Sequence, residues 1–142
     1  MRHIYRCPVR WADMDAYGHV NNAVFLTYLE EARIDFMSGR DPLPGQGSVV
    51  ARHEIDYKRQ LVNRSRPVEI ELWVTQIRAV SFTVAYEVKD ADQVYATAST
   101  VIVPFDFEEQ RPRRITKEER EFLREYMQDA EDADDKEEAV AA

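Results

Sequence analysis

A single helical stretch in a chain otherwise made of strands constrains this sequence most. Over about residues 23–37 apolar side chains recur at helical spacing. Phe25, Leu29, Ala32 and Phe36 share one face, widened by Leu26, Tyr28 and Met37. The polar stripe of Thr27, Glu30, Glu31, Asp35 and Ser38 is narrow and interrupted by Ile34. So wide an apolar arc suits a helix enclosed on several sides rather than laid on a surface. Only strands are available to enclose it. Val49, Ala51, His53, Ile55 and Tyr57 alternate with polar neighbours, as do Val68, Ile70, Leu72 and Val74, and Phe82, Val84, Tyr86 and Val88. "VYATASTVIVPF" reads as a last strand closed by Pro104, and residues 2–11 as a first, with Tyr5, Cys7, Val9 and Trp11 on one face. Alternation of this kind predicts an antiparallel sheet with one face on the core. A T-x-x-E capping box at Thr116 and Glu119 opens a short helix to about Met127. Strand, long helix, four strands and short helix give an α+β domain in which a curved sheet wraps the helix.

The chain has 142 residues, enough for one domain, placed at residues 1–128. Its net charge of −8 is unevenly spread: residues 1–116 carry −1 and residues 117–142 carry −7. Residues 129–142, "DAEDADDKEEAVAA", are expected to form a solvated, flexible acidic tail. The near-neutral body has no basic stripe, which argues against nucleic-acid binding. No apolar run approaches the ~20 residues of a membrane span, and the start lacks a signal-peptide h-region. A lone Cys7 excludes an internal disulfide and any site built from several thiolates. A cytoplasmic protein is expected.

Residues 13–22, "DMDAYGHVNN", gather hydrogen-bonding side chains at the mouth of the helix. Asp13, Asp15 and Gly18 match the first half of a calcium loop, but Tyr17 and Val24 occupy positions that need oxygen ligands. His3, His19 and His53 lack zinc-ligand spacing, and no metal is expected. Gly18 supplies an unusual φ, and Asn21 or Asn22 caps the helix, which still leaves Asp15, His19 and one asparagine without work. Helix physics offers them a task. The first N–H groups of a helix lack intrahelical partners and carry the positive end of its dipole. Aimed at a carbonyl they stabilise an oxyanion, while a nearby carboxylate attacks that carbonyl or activates water against it. There is no G-x-S-x-G, so hydrolysis dependent on a carboxylate is the chemistry that fits.

"RWADMDAYGHVNNAVFLTYLEEAR" resembles the signature of hotdog-fold acyl-CoA thioesterases of the 4-hydroxybenzoyl-CoA thioesterase type. That signature runs as an acid-x-Asp, two residues, Gly, His-Val-Asn-Asn, an aromatic-rich helix and Glu-x-Ala-Arg; the likeness covers about residues 4–107. It implies a five-stranded antiparallel sheet wrapped around one long central helix, and hydrolysis of an acyl-CoA to free acid and CoA without a cofactor. Asp15 matches the family's catalytic carboxylate, as nucleophile or general base. The Asn22 N–H would polarise the thioester carbonyl, and His19 joins these two at the site. Gly18 and Asn21 would shape the substrate loop. Phe25 and Tyr28 would line an aryl or aliphatic acyl pocket, or serve as plain core. Asp13 is expected to support the loop instead of reacting.

For the CoA phosphates Arg113 and Arg114 are the candidates, ahead of Arg64 and Arg66, because the guanidinium fork suits phosphate. Self-association as dimer or tetramer is expected, since pairing hides sheet edges and the family's active site lies at a dimer interface. Two departures stand out: Gln60 replaces the proline of a Tyr-x-Arg-Pro element, and "NRSRP" stands where Gly-Asp is common. The alternatives are a non-catalytic acyl-CoA binder or another hotdog enzyme such as a dehydratase, although the dehydratase Asp-x-x-x-x-His spacing is absent.

Overall fold

The computed structural model describes residues 1–38 and 46–128. Residues 39–45 and the expected acidic tail from 129 onward lie outside the described residues. Strand β1 (His3–Cys7) ends at Pro8, which has no N–H to give to a ladder. A 3-10 turn (Trp11–Asp13) follows where the alternation predicts more strand, and Trp11 is 81% exposed instead of facing the core beside Cys7. Helix α1 (Asn22–Met37) comes next, then β2 (Gln46–Tyr57), β3 (Val68–Ile77), β4 (Phe82–Lys89), β5 (Val94–Asp106), the two-residue β6 (Arg111–Pro112) and helix α2 (Lys117–Glu125).

The long strands lie in the order β1-β3-β4-β5-β2 and every pairing is antiparallel. The sixth strand is an addition to the expected five. β6 pairs with Phe105 and Asp106 of β5, and two residues are too few to leave an alternation in sequence. Register shifts at Val50/Arg52 in β2 and Val74/Gln76 in β3 are bulges, which bend strands and increase their twist. The β3 shift has a visible use. Val74 donates to the Tyr126 carbonyl and accepts from the Gln128 N–H, so the exit of α2 is stitched to the sheet there. At its other end α2 is closed by the expected capping box of Thr116 and Glu119.

Helix α1 lies on the sheet through Phe25, Tyr28, Leu29, Ala32 and Phe36, all buried. Facing them are the inward residues Val68, Ile70, Leu72 and Val74 of β3 and Phe82, Val84, Tyr86 and Val88 of β4. Burying one large apolar side chain contributes about 1.5–3 kcal/mol, so this one layer fixes where the helix sits. Enclosure is less complete than the sequence suggests. Leu26 is 37% and Ile34 62% exposed, because the sheet covers only one side of α1 within the chain. The helix N-terminus is therefore held rigidly from below and left open above.

Candidate active site

Asp15 lies in a tight loop that the backbone closes on itself. Its N–H donates to the His19 carbonyl at 2.7 Å, and its carbonyl accepts from Gly18. Gly18 makes the turn at φ 80°, a conformation that side-chain-bearing residues rarely adopt. The Asp15 Oδ1 accepts the N–H groups of Tyr17 at 2.8 Å and His19 at 3.1 Å. These bonds, that of His19 foremost, hold the carboxyl below the ordinary carboxylate range, so it is ionised at neutral pH. Among the described residues nothing donates to Oδ2. One oxygen is pinned and the other is open.

Asp13, two residues earlier, is occupied. Its Oδ2 accepts the Tyr28 hydroxyl at 2.6 Å and the Arg10 N–H at 3.1 Å, while its carbonyl takes the Asn21 N–H. Burial, reinforced by Asp13, pushes the Tyr28 phenol far above its usual range. This pair ties the loop to α1. The helix then begins with Asn21 as its cap: the Asn21 Oδ1 accepts the Ala23 N–H at 2.8 Å and its carbonyl accepts that of Val24. No described group accepts the N–H of Asn22, the first helical residue.

A cleft of about 270 Å³ opens beside these groups, lined on one side by Asp15, His19, Val20, Asn22 and Phe25, and on the other by residues 57–61. The walls are sewn together at one end by Val20 N–H to Leu61 C=O at 2.7 Å and by the His19–Val62 bridge. Asp15, His19, Asn22 and Phe25 thus share one cleft, while Gly18 and Asn21 act from the loop that shapes it. Tyr28 is buried beneath, on Asp13. Arg113 and Arg114 do not line it, and Arg113 is engaged elsewhere, with two nitrogens on the two Glu119 carboxylate oxygens at 2.7 and 2.9 Å.

Sequence reasoning does not name Val20, Tyr57, Lys58, Arg59, Gln60 and Leu61 as site residues. "YKRQ" stands out only as a departure from a family element, and that is the available signal. The Lys58 and Arg59 N–H groups both bond the Tyr95 carbonyl, which fixes this wall to β5. Neither side chain has an ion-pair partner among the described residues. Cys7 offers no competing nucleophile, since burial and Glu31 push its thiol up to about 12. Among the described residues no group of three or more His, Cys, Asp or Glu is placed to hold a metal, and no helix is long and apolar enough to cross a membrane.

Comparison with known proteins points the same way. The thioesterase-like superfamily matches residues 9–125. A thioesterase from Thermus thermophilus, complexed with coenzyme A and Zn, is 33% identical with a TM-score of 0.75, covering 87% of this chain and 92% of that one. A predicted thioesterase from Bacillus stearothermophilus is 24% identical with a TM-score of 0.82, covering 91% and 98%. The DHNA-CoA thioesterase of Staphylococcus aureus is 22% identical with a TM-score of 0.72, covering 80% of each chain. At those identities the last two speak to the fold alone. No curated protein matches significantly in sequence. The superfamily match spans the Asp15 loop, helix α1 and strands β2 to β6, and with it the chain belongs to the thioesterase-like superfamily, as a thioester hydrolase built on the hotdog fold.

Proposed function

We propose that the protein hydrolyses an acyl-CoA to the free acid and CoA at the cleft between Asp15 and residues 57–61. The observation that carries this is the pairing of an ionised carboxylate, one oxygen of which has no described donor, with a helix N-terminal N–H that has no described acceptor. The thioester carbonyl oxygen takes the Asn22 N–H, where the helix dipole adds to the stabilisation of developing negative charge. The Asp15 Oδ2 attacks the carbonyl carbon or takes a proton from the water that does. His19 borders the same space and fixes Asp15 through its backbone. In the first route the CoA thiolate leaves as an acyl–Asp15 anhydride forms, and water then hydrolyses that anhydride to the free acid. In the second the tetrahedral adduct collapses to the acid and the departing thiolate takes up the proton that Asp15 removed.

Lys58 and Arg59 replace Arg113 and Arg114 as the groups that meet the CoA phosphates. They border the cleft without ion-pair partners among the described residues, whereas the Arg113 fork is already filled by Glu119. Self-association is supported by β2, which among the described residues pairs on one side only, with β5, and carries Val49 and Val50 at 36% and 40% exposure. Light scattering should give a dimer or tetramer at assay concentration; an active monomer would remove that part.

The test is a thiol-release assay over short, medium, long and aromatic acyl-CoAs. Turnover of at least one class is expected. Tight binding of acyl-CoA with no thiol released from any of them would replace the hydrolase with an acyl-CoA-binding protein.

A further inference from the structure

Tyr57 is the last residue of β2, and its hydroxyl reaches across the cleft to donate to the Asn22 carbonyl at 2.7 Å. Its ring packs edge-to-face on Phe25, with centroids 5.4 Å apart and planes at 84°. The residue is 49% exposed, so packing alone does not explain this placement. Its backbone is rigid: Tyr57 pairs with Ala96, and the next two N–H groups both bond Tyr95.

The consequence lies in the peptide between Asn22 and Ala23. Its N–H end is held by the Asn21 side chain at 2.8 Å and its carbonyl end by Tyr57. One peptide plane is thus gripped at both ends, from opposite walls of the cleft. That plane fixes ψ of Asn22, the residue whose own N–H has no described acceptor. In addition, the Val20–Leu61 bond and the Tyr57–Asn22 bond join the two walls at two separate places, which sets the distance between them.

We infer that Tyr57 is a positioning residue for the oxyanion-binding turn, acting through the Asn22 carbonyl and touching no reacting atom. The inference rests on the assignment of the Asn22 N–H under the proposed function. Tyr57→Phe keeps the ring on Phe25 and removes only the hydroxyl. It should lower kcat about tenfold with KM within about twofold, less than loss of an oxyanion donor because the N–H remains but is less well aimed. A purely structural hydroxyl would lower the melting temperature and leave kcat per folded molecule unchanged.

Two measurements separate this inference from the reading beneath it. Amide hydrogen exchange at Ala23 and Val24, the two N–H groups that Asn21 accepts, read by NMR on the unliganded protein, should speed up about tenfold in Tyr57→Phe, with amides at the centre of α1 unaffected. Unchanged exchange together with unchanged kcat overturns the role of Tyr57, even if Asp15→Asn is inactive and the hydrolase reading stands. Faster local exchange with unchanged kcat also overturns it, because the turn would then be free to move without consequence for the reaction. Faster exchange with a selective loss of kcat supports it. If instead Asp15→Asn retained full activity, the failure would lie in the carboxylate reading and not in Tyr57.

Discussion

Two polar constellations touch helix α1, and they are completed to different degrees. At its N-terminus, Asp15 keeps an oxygen with no described donor and Asn22 keeps an N–H with no described acceptor, both bordering an open cleft. Farther along, a chain of hydrogen bonds running into the core occupies both of its buried hydroxyls. Arg33 donates to the Tyr86 hydroxyl at 3.1 Å, Tyr86 donates to the Thr100 hydroxyl at 2.9 Å, and Thr100 meets His53 Nδ1 at 2.9 Å. Arginine can only donate, so the Tyr86 hydroxyl accepts from Arg33 and turns its single hydrogen onward to Thr100. Spare hydrogen-bonding capacity at an open surface is available to a substrate. A chain whose two buried hydroxyls are both bonded from within holds strands to a helix. The difference separates the proposed reactive part of this molecule from its scaffold.

The largest effect that sharpens this contrast belongs to the carboxylates. Asp15→Asn preserves shape and removes charge, and should lower kcat by ~10²-fold or more with little change in KM. Asp13→Asn weakens the hold on Tyr28 and Arg10, so its first effect should be a lower melting temperature. Steady-state kinetics beside thermal melts of both variants check the pair. Reversal of these two outcomes would mean that the occupied carboxylate reacts.

Thr100→Val should show the opposite pattern. Thr100 is fully buried and Tyr86 nearly so, and valine leaves the Tyr86 hydrogen without its acceptor and His53 Nδ1 without its partner. A loss of about 1–3 kcal/mol is expected in denaturant unfolding, with kcat per folded molecule unchanged. A variant of native stability and reduced kcat would place the buried chain in the reaction.

A smaller effect depends on pH. Burial, and next Arg33, lower the His53 pKa in the folded protein. The unfolded chain therefore takes up a proton below about pH 6.5 that folded His53 refuses. Its contribution to stability is fully present above that value and declines as pH falls toward the folded pKa. Between pH ~7.5 and ~5.5, either side of that unfolded value, the urea midpoint of the native protein should fall more than that of His53→Gln. Equal falls would show that His53 is not held neutral by its surroundings.

Much of this is legible in sequence, for reasons that differ by residue. Asn21, Gly18 and Asp15 act locally, through a cap, a turn and a loop closed within five residues, so their spacing carries their geometry. The alternation of β3 and β4 announces which side chains face α1. Trp11 is misplaced by the strand period because Pro8 ends the ladder two residues before Arg10. Tyr57, Lys58 and Arg59 reach the cleft only because β2 is carried around the sheet to lie beside β5, a pairing that no local pattern encodes. Arg113 looks like a phosphate ligand in sequence because its partner Glu119 is already assigned to the capping box; the same carboxylate serves both.

The central claim is that the Asn22 N–H at the start of α1, which no described group accepts, stabilises the charge that develops on the thioester oxygen, and one substitution reaches it directly. Proline is well tolerated at the first helical position, and Asn21 at φ −58° and ψ 137° already has the extended conformation that a residue before proline requires. Asn22→Pro thus deletes the N–H while leaving the helix intact, and Asn22→Ala deletes the side chain while leaving the N–H. With the best acyl-CoA from the thiol-release screen, Asn22→Ala should stay within several-fold of the native kcat. Asn22→Pro should lose ~10²-fold or more at an unchanged melting temperature. An Asn22→Pro variant as active as Asn22→Ala would contradict the account.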